Sequence, residues 1–401
     1  MIISFAVIAI FNSVVCQSQQ LEFMAKMNSG TPIFHSNTTN IPFQLHGHKI
    51  FIKVNINNSK ALNFVFDTGA ITVIDQMVAR EMDITSGIEI PSMQSMSKAY
   101  ISKDKLSFHF GNIQVNDFIP IISKLPEGNN KEPGIAGLIG SDILRFFCIS
   151  IDYQNKNLIL SKKVIDFGGI SYRVNMTKQF PLGFPLLESS IDNNPVKVMI
   201  DTGSPFSIVC PAIMIDSSGI FSDYPFLKSK GWFMKWPSVS SESNYLVQIK
   251  QLRFGSLEIT DMPAFLAELP MKSKNPLLGY SFFNNFITTI DYPNNEVIFW
   301  PVSRPFYLTR YFAGFTIKEV DQKVIIKGIW ENSPADQAGI QVGDELLQLC
   351  EHYVKESSIK SLKTILDDDS IIDVTIVIKR KNIEQQVKLK KEHMDTMLRF
   401  P

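Results

Sequence analysis

LNFVFDTGAITVI (residues 62–74) is the stretch that decides the fold, because it recurs in altered form as VKVMIDTGSPFSIVC (residues 196–210). In each copy a short run of alternating apolar residues predicts a half-buried strand, and the Asp-Thr-Gly that follows predicts a sharp turn. The aspartates of the two copies, Asp67 and Asp201, are 134 residues apart. A strand and turn repeated in this way indicate a duplicated unit.

The duplication extends beyond the Asp-Thr-Gly tripeptide. A Phe-Gly turn between two strand-like runs follows each aspartate, within residues 106–126 and 249–270, and both stretches end in proline. Further along, residues 137–160 and 276–299 share an Ile-Asp-Tyr followed by a polar turn. The corresponding positions are offset by 134, 144 and 139 residues. Three features in one order and nearly one register predict two equivalent halves.

The chain divides into regions with different patterns. Its 401 residues leave room for two or three domains, and WPVSRP (residues 300–305), with two prolines, is typical of a linker. We predict, in order, a signal peptide at residues 1–16, a loose polar lead-in at 17–40, a first half at 41–165, a second half at 166–300 and a different domain at 305–395.

Composition restricts the classes of function. Lysine and arginine (39) balance aspartate and glutamate (39), so there is no electrostatic reason to expect binding to nucleic acid or to an anionic membrane. With 45% hydrophobic and 19% charged residues, the chain is typical of a globular protein rich in buried strands. His46 and His48 lack a third ligand, and no other spacing resembles a metal site. We expect neither a metal nor a cofactor.

The first residues, MIISFAVIAIFNSVVCQ (residues 1–17), form an apolar run that is too short and interrupted to span a bilayer comfortably. The run is typical of a secretory signal and predicts an exported protein, periplasmic or secreted. A buried strand or an ordinary apolar amino terminus is the alternative interpretation. A lipid anchor at Cys16 is the minor option, because Val15 is bulky for that cleavage site. The remaining cysteines lie in apolar runs that suit buried free thiols: Cys148, Cys210 and Cys350.

Acids at two equivalent turns suggest a defined chemistry. If the halves pack about a pseudo-twofold axis, Asp67 faces Asp201. At ~3 Å and an effective dielectric of ~20, the repulsion between two carboxylates is about 5 kcal/mol, so the pair holds one proton over a broad pH range. The ionised acid can take a proton from water while the protonated acid donates to a carbonyl oxygen. This is general acid/base hydrolysis of an amide.

The two turns carry a family resemblance over about residues 41–300. Asp67-Thr68-Gly69-Ala70 with Gly137-Leu138-Ile139-Gly140 resembles one half of a retropepsin-type aspartic protease, and Asp201-Thr202-Gly203-Ser204 with Leu277-Leu278-Gly279 resembles the other half of a pepsin-like molecule. The resemblance implies a mainly β, bilobal pair of β-barrels related by a pseudo-twofold axis. It implies a monomeric endopeptidase that acts on peptide or protein substrates.

By the same resemblance Asp67 and Asp201 are catalytic. The residues that support them are then Thr68, Gly69, Thr202, Gly203 and Ser204. Ala70 departs from the pepsin pattern and matches the retropepsin one. Residues 82–102 and 216–243 have weak periodicity and could each form a hairpin over a cleft, but neither contains a recognisable flap motif. We interpret the aromatic residues there as packing residues: Tyr100, Trp232 and Trp236.

A second resemblance covers the carboxy-terminal region. Val324-Ile325-Ile326, Ser333-Pro334-Ala335-Asp336-Gln337-Ala338-Gly339-Ile340 and Gly343-Asp344-Glu345-Leu346 are similar to the α+β PDZ domain of the type attached to bacterial exported proteases. The resemblance implies that a peptide carboxylate binds the backbone amides of a loop formed by Ala313, Gly314 and Phe315, and that a peptide extends the strand that follows. Leu349-Cys350-Glu351-His352 departs from the pattern, since an Asn-Gly turn is usual there.

Two classes of function remain open. The first is an aspartic endopeptidase with a PDZ domain that docks a carboxy-terminal peptide ligand or a partner protein. The second is a binding protein with a degenerate protease fold that holds peptides uncut, with the PDZ domain as its active part. Two intact Asp-Thr-Gly turns favour the enzyme. Ala70 and the missing flap motif favour the binding protein.

Overall fold

A computed structural model describes residues 17–90, 98–125, 134–216, 220–221, 224–233, 244–269, 273–302, 311–368, 370–393 and 396. The predicted signal peptide, Cys16 and Trp236 lie outside these ranges. As predicted, the chain is mainly β, and its helices are short. No helix in the ranges given is both long and apolar enough to cross a membrane.

The segment predicted as a loose lead-in, residues 17–40, is folded. It forms helix α1 (Gln17–Met27), strand β1 (Thr31–Phe34) and most of strand β2 (Thr38–Pro42). Burial alternates along β2, where Ile41 is buried, as expected for a strand with one face against the core. The segment therefore belongs structurally to the first half.

The rest of the first half contains the first Asp-Thr-Gly turn. Its elements are β3 (Gln44–His46), β4 (Lys49–Ile56), β5 (Leu62–Phe66), β6 (Val73–Asp75), α2 (Gln76–Glu81), β7 (Ser86–Ile90), β8 (Ala99–Ser102), β9 (Leu106–Phe110), β10 (Ile113–Phe118), β11 (Ile121–Ser123), β12 (Gly137–Ile139), α3 (Ser141–Leu144), β13 (Cys148–Asp152) and β14 (Asn157–Ser161).

The second half repeats this order. Its elements are β15 (Tyr172–Gln179), β16 (Phe184–Ile191), β17 (Asn194–Ile200), β18 (Ile208–Pro211), α4 (Ile213–Asp216), β19 (Phe226–Gly231), β20 (Tyr245–Phe254), β21 (Leu257–Ala267), β22 (Leu277–Leu278), α5 (Tyr280–Phe283), β23 (Phe286–Asp291) and β24 (Glu296–Pro301).

Strand pairing around the two Asp-Thr-Gly turns is the same in both halves. In the first half β12 pairs in parallel with β5, which precedes Asp67, and antiparallel with β6, which follows it. In the second half β22 pairs in parallel with β17, which precedes Asp201, and antiparallel with β18. Each aspartate is therefore held at the end of a strand that is buried between two neighbours, which limits the movement of its turn.

One sheet joins the halves. Strands β2, β14, β13, β23, β24 and β15 lie side by side in that order, all antiparallel. The two Ile-Asp-Tyr strands, β13 and β23, pair with each other at its centre, where the hydroxyls of Ser150 and Thr289 are 2.6 Å apart. Because each half contributes to this sheet, the positions of the two Asp-Thr-Gly turns are fixed relative to each other.

The carboxy-terminal domain has its own hydrophobic core. Its elements are β25 (Tyr311–Phe312), β26 (Phe315–Val320), β27 (Lys323–Trp330), α6 (Pro334–Gln337), β28 (Glu345–Leu349), β29 (His352–Tyr353), a 3-10 turn (Val354–Glu356), α7 (Ile359–Asp367), β30 (Asp373–Arg380), β31 (Ile383–Lys390) and β32 (Glu392–His393). The hydroxyl of Ser333 caps α6 by accepting from the amide of Asp336 at 3.4 Å. At the irregular turn between β28 and β29, Cys350 adopts a positive φ of 52° in place of the usual Asn-Gly.

The carboxy-terminal domain shares a sheet with the second half. Strand β19 pairs antiparallel with β27, so that Ser229 lies opposite Trp330 and Gly231 opposite Gly328. The ladder continues on both sides, since Trp232 donates to the carbonyl of Lys327 at 3.1 Å. Residues 216–243, where the sequence suggested a hairpin, thus supply β19, which pairs with both β20 and the carboxy-terminal domain.

Candidate functional site

The two Asp-Thr-Gly turns face each other at the boundary between the halves. A Cβ atom on Gly69 would lie 2.5 Å from Oδ1 of Asp201, and a Cβ atom on Gly203 would lie 2.5 Å from Oδ2 of Asp67. Both distances are shorter than a Cβ atom tolerates. Each glycine is therefore needed because the carboxylate of the other half packs directly against its backbone.

Thr68 and Thr202 connect the turns. The amide of Thr68 donates to the hydroxyl of Thr202 at 3.0 Å, and the amide of Thr202 donates to the hydroxyl of Thr68 at 3.1 Å. The hydroxyl of Thr68 donates in turn to the carbonyl of Ile200 at 3.0 Å. These bonds satisfy buried groups of both halves and hold the two acids beside each other.

Both carboxylates are buried, and each accepts a hydrogen bond from its own turn. The amide of Gly69 donates to Asp67 at 2.9 Å, and the amide of Gly203 donates to Asp201 at 3.0 Å. Burial raises the pKa of Asp67. Burial, and then the neighbouring charge of Asp67, raise the pKa of Asp201 well above its ordinary value. Each acid also shifts the pKa of the other, so the two carboxyls titrate as a pair.

Ser204 does not give the support that the family resemblance implies. Its hydroxyl has no hydrogen-bond partner among the residues that the structure describes. The residue acts through its backbone instead, because its amide donates to the carbonyl of Asp201 at 3.0 Å and its carbonyl accepts from the amide of Tyr280 at 2.8 Å. Ala70, at the equivalent position of the first half, has no hydroxyl at all. The two turns are therefore alike in this respect.

A tyrosine from each half reaches behind the turn of the other half, which the sequence analysis missed. The hydroxyl of Ser141 donates to the carbonyl of Thr68 at 2.5 Å and lies 3.3 Å from the hydroxyl of Tyr292. The equivalent Tyr153 packs edge to face on Tyr280, with ring centres 5.2 Å apart. Burial raises the pKa of both Tyr153 and Tyr292. The repeated Ile-Asp-Tyr was the available signal.

A buried ion pair supports the first turn. Nζ of Lys26, on α1, donates to Asp142 at 2.5 Å, and both side chains are almost fully buried. Asp142 also accepts from the amide and the hydroxyl of Thr72 at 2.8 and 2.7 Å. The amide of Gly140 donates to the hydroxyl of Thr72 at 3.1 Å. A Cβ atom on Gly140 would lie 2.3 Å from the carbonyl oxygen of Ala70. The polar lead-in therefore supports the loop that carries Asp67.

His48 lies next to the second turn, although the sequence suggests no role for it. Burial lowers the pKa of its imidazole to about 3, and the backbone of Gly203 shifts that pKa in the opposite direction. The ring is therefore neutral at ordinary pH. Among the described residues, no group of three or more His, Cys, Asp or Glu side chains is placed to hold a metal ion.

The predicted carboxylate-binding loop lies between β25 and β26. Gly314 has a φ of 88°, and a Cβ atom there would lie 2.1 Å from the hydroxyl of Ser333. The carbonyls of Ala313 and Gly314 accept from the amides of Ala335 and Trp330 at 3.0 and 2.8 Å. The loop is thus held by the domain interior. Strand β26, which begins at Phe315, lies between β27 and helix α7.

The family model of the PDZ domain matches residues 302–390. Residues 302–390 form a PDZ domain. PDZ domains bind peptides or protein partners, so this region is a docking module, close to the range 305–395 expected from the sequence. The region that resembles an aspartic protease is matched by no family. No curated protein matches the chain.

Aromatic rings connect the PDZ domain to the second turn. Trp330, at the end of β27, stacks on Phe233 with ring centres 4.2 Å apart and lies 5.6 Å from the ring of Phe265. Phe265 stacks in turn on Phe206 at 4.4 Å, and Phe206 is two residues beyond Ser204. Trp330 is buried. The PDZ domain and the loop that carries Asp201 therefore share a continuous hydrophobic contact.

Proposed function

We propose that the chain is an aspartic endopeptidase with a PDZ domain for docking a peptide or a partner. The observation that supports this best is the direct approach of the Asp67 and Asp201 turns, in which each glycine abuts the opposite carboxylate. Two buried acids that share one proton form a general acid and a general base in a single site. The duplicated fold supplies them from opposite sides, as a cleft for an extended peptide requires.

The reaction needs one ionised and one protonated acid, and the stronger upward pKa shift of Asp201 favours Asp201 as the protonated member. Asp67, the ionised member, takes a proton from a water molecule, whose oxygen attacks the peptide carbonyl carbon, while Asp201 gives its proton to the carbonyl oxygen. The product of this step is a neutral tetrahedral diol. When the C–N bond breaks, Asp67 returns its proton to the leaving nitrogen, and Asp201 takes one from a hydroxyl of the diol. Both acids then have their starting protonation states.

Export and a monomeric state belong to the same proposal. The apolar run at residues 1–16 supports export. Sequencing the amino terminus of the protein recovered from outside the cytoplasm tests it, because removal of a signal leaves a new terminus near residue 17. Light scattering of the purified protein tests the monomer, for which the two halves within one chain are the support.

The catalytic proposal is tested by digestion of a peptide library at several pH values. Wild type, Asp67→Asn and Asp201→Asn are compared, with Asp83→Asn as a control at an exposed acid. We expect each dyad substitution to lower the rate by about 10³-fold or more and the control to leave it unchanged. A hydroxyl-containing mimic of the tetrahedral diol should inhibit wild type. Cleavage that survives both dyad substitutions contradicts the assignment.

The second candidate function is a protein that binds peptides without cutting them. The hydroxyl of Ser204, which has no partner among the described residues, and the absence of a hydroxyl at Ala70 favour it, because neither position then supplies a hydroxyl to orient the outer oxygen of its acid. Under this alternative, the peptide library stays intact at every pH, and peptides nevertheless bind to the full chain.

A further inference from the structure

A chain of hydrogen bonds runs from the second half to the first Asp-Thr-Gly turn. The hydroxyl of Ser141 donates to the carbonyl of Thr68 at 2.5 Å. The hydroxyl of Tyr292, which belongs to the second half, lies 3.3 Å from that of Ser141. A serine hydroxyl has a single hydrogen, which Ser141 gives to Thr68, so Tyr292 is the donor of the second bond. Ser141 and Tyr292 are fully buried, so the chain is shielded from bulk water.

The peptide group between Thr68 and Gly69 continues the chain to Asp67. Its carbonyl accepts from Ser141, and its N–H, which belongs to Gly69, donates to Oδ1 of Asp67 at 2.9 Å. A peptide group is planar, so a bond that fixes the carbonyl also fixes the direction of the N–H. A donor on the carbonyl oxygen also polarises the amide, which strengthens its N–H as a donor. The hydroxyl of Ser141 is therefore linked to the carboxylate of Asp67 through a single peptide group.

The position of Ser141 is itself fixed. Its amide donates to the carbonyl of Ala70 at 2.8 Å, so the residue is bonded to the first turn at two points. The next residue, Asp142, is ion-paired with Lys26 and accepts from Thr72. Because its backbone and its neighbour are both held, Ser141 can keep the peptide group of the turn in one orientation.

A tyrosine takes the place of Ser141 in the second half. Gly140-Ser141 corresponds to Gly279-Tyr280, at the offset of 139 residues that also relates Tyr153 to Tyr292. Tyr153 packs its ring edge to face on Tyr280, and the hydroxyl of Tyr153 has no hydrogen-bond partner among the described residues. The two halves thus differ behind their turns, and the serine belongs to the half that carries Asp67.

We propose that Ser141, with Tyr292 behind it, is a positioning residue for the dyad, because it holds the peptide group whose N–H binds the Asp67 carboxylate. The inference rests on the proposed function, in which Asp67 is the ionised acid. A hydrogen bond to a carboxylate favours its ionised form. Burial raises the pKa of Asp67, and the amide of Gly69 opposes that rise. Without the hydroxyl of Ser141 this amide is a weaker donor, and Asp67 should keep its proton to a higher pH.

Other titratable groups lie close enough to Asp67 to influence its ionisation. Asp201 is its partner in the dyad, and the two acids titrate as a pair. Burial raises the pKa of Tyr153 and of Tyr292, so both phenols are neutral where the dyad first ionises. Burial lowers the pKa of His48 to about 3, so its ring is neutral above that pH. These groups are the same in wild type and in a variant that lacks only a serine hydroxyl.

The test compares wild type with Ser141→Ala, which alters no titratable group. Two pH profiles are measured: kcat/KM for a peptide that wild type cleaves, and the NMR chemical shift of isotope-labelled aspartate carboxyl carbons. The Asp67 signal is assigned by its loss in Asp67→Asn. We expect Ser141→Ala to raise the acidic limb of kcat/KM and the lower apparent pKa of the dyad together, by about half a pH unit. KM should stay unchanged, because the buried Ser141 does not contact the peptide.

Matched variants separate positioning from a purely structural role. Ser150→Ala removes a buried hydroxyl that also pairs with the other half, at 2.6 Å from Thr289 in the sheet that joins the halves, and should leave both profiles unchanged. Ser141→Thr keeps the donor and should restore the wild-type profiles. Tyr292→Phe should shift both profiles as Ser141→Ala does, but by less, whereas Tyr153→Phe should not shift them. Thermal melting shows whether each variant is folded.

The outcomes separate this inference from the proposed function. Unchanged profiles in Ser141→Ala overturn the positioning role. An equal shift in Ser150→Ala also overturns it, because the cause would then be a general loosening between the halves. A shift in Ser141→Ala that is absent from Tyr292→Phe overturns the part assigned to the tyrosine. If wild type cleaves no peptide, the endopeptidase is contradicted, and the carboxyl titration still decides whether Ser141 acts on Asp67.

Discussion

Thr68 and Thr202 exchange hydrogen bonds across the boundary between the halves, each hydroxyl accepting from the backbone amide of the other residue at 3.0 and 3.1 Å. The exchange makes the position of each acid depend on the opposite half. Neither turn can move alone without leaving a buried amide unpaired, and an unpaired buried donor costs about 1–3 kcal/mol.

Replacing either threonine with valine should therefore affect stability and activity together. We expect Thr202→Val to lower the free energy of unfolding by about 1–3 kcal/mol, because the amide of Thr68 loses its acceptor. Urea denaturation measures the first effect and kcat/KM for a cleaved peptide the second. Thr202→Ser, which keeps the hydroxyl, is the control. If valine and serine variants are equally stable, the exchanged bonds do not hold the turns.

The pH dependence of peptide cleavage should be bell-shaped and displaced upward. Activity needs Asp67 ionised and Asp201 protonated, so it falls at low pH as Asp67 gains a proton and at high pH as Asp201 loses one. Because burial raises the pKa of both acids from the ordinary value of 3.8, both limbs should lie above that value. The profile of kcat/KM against pH measures them. A lower limb below the range of an ordinary aspartate contradicts the assigned roles.

Asp201→Asn should stabilise the protein at neutral pH even though it abolishes cleavage. The pKa of Asp201 is raised in the folded protein, so the folded state binds more protons than the unfolded state between the unfolded and folded pKa values, and stability declines as the pH rises through that window. Asparagine removes this decline. The gain in Tm over wild type should be larger at pH 7 than at pH 4, as measured by calorimetry, with Asp83→Asn as the control at an exposed acid.

Lys26→Met should be among the most destabilising single substitutions in the chain. It leaves Asp142 as a buried charge without its cation, and breaking a buried pair on one side costs about 3–5 kcal/mol. The double variant Lys26→Met/Asp142→Asn should recover part of the loss. Lys98→Met removes an exposed ion pair with Glu89 and should cost less than about 1 kcal/mol. Chemical denaturation compares them, and equal losses for Lys26→Met and Lys98→Met would show that α1 does not support the first turn.

Trp330→Ala should destabilise the second half as well as the PDZ domain. The side chain is buried against Phe233 and Phe265, and deleting a buried tryptophan costs about 3–5 kcal/mol. Tyr353→Ala, which removes an exposed ring from the same domain, should cost little. Hydrogen exchange of β19 and β20 measures the effect on the second half. Unchanged protection there would mean that the two units are energetically independent.

The sequence predicts the strands and the site where the pattern that determines them is local or occurs in both halves. Alternating apolar residues predict β5 and β17, and the repeated Asp-Thr-Gly predicts that Asp67 and Asp201 lie together. The PDZ pattern at residues 333–340 coincides with α6, which the hydroxyl of Ser333 caps. In each case the physical cause, a period of two or a capping hydroxyl, lies within a few residues of the element that it determines.

Other features depend on contacts between residues distant in sequence. Lys26 sits in a polar segment, and its folded state depends on Asp142, which is 116 residues away. The tyrosines behind the turns and the pairing of β19 with β27 are likewise settled by tertiary contacts. The resemblance also implied that Ser204 supports its acid, whereas its hydroxyl has no hydrogen-bond partner in the part of the chain that the structure describes. Local propensity contains no information about such partners.

The pairing of β19 with β27 affects any attempt to express the PDZ domain separately from the two halves. If the PDZ domain and the two halves were expressed as separate fragments, β27 would lose its pairing with β19 in one fragment and β19 would lose its pairing with β27 in the other. The backbone amides and carbonyls of both strands would then be exposed to solvent. Exposed strand edges of this kind readily pair with strands of other molecules. Isolated fragments should therefore aggregate or undergo domain swapping. An isolated PDZ domain would need proline or charged residues introduced along Gly328–Trp330 to stay soluble.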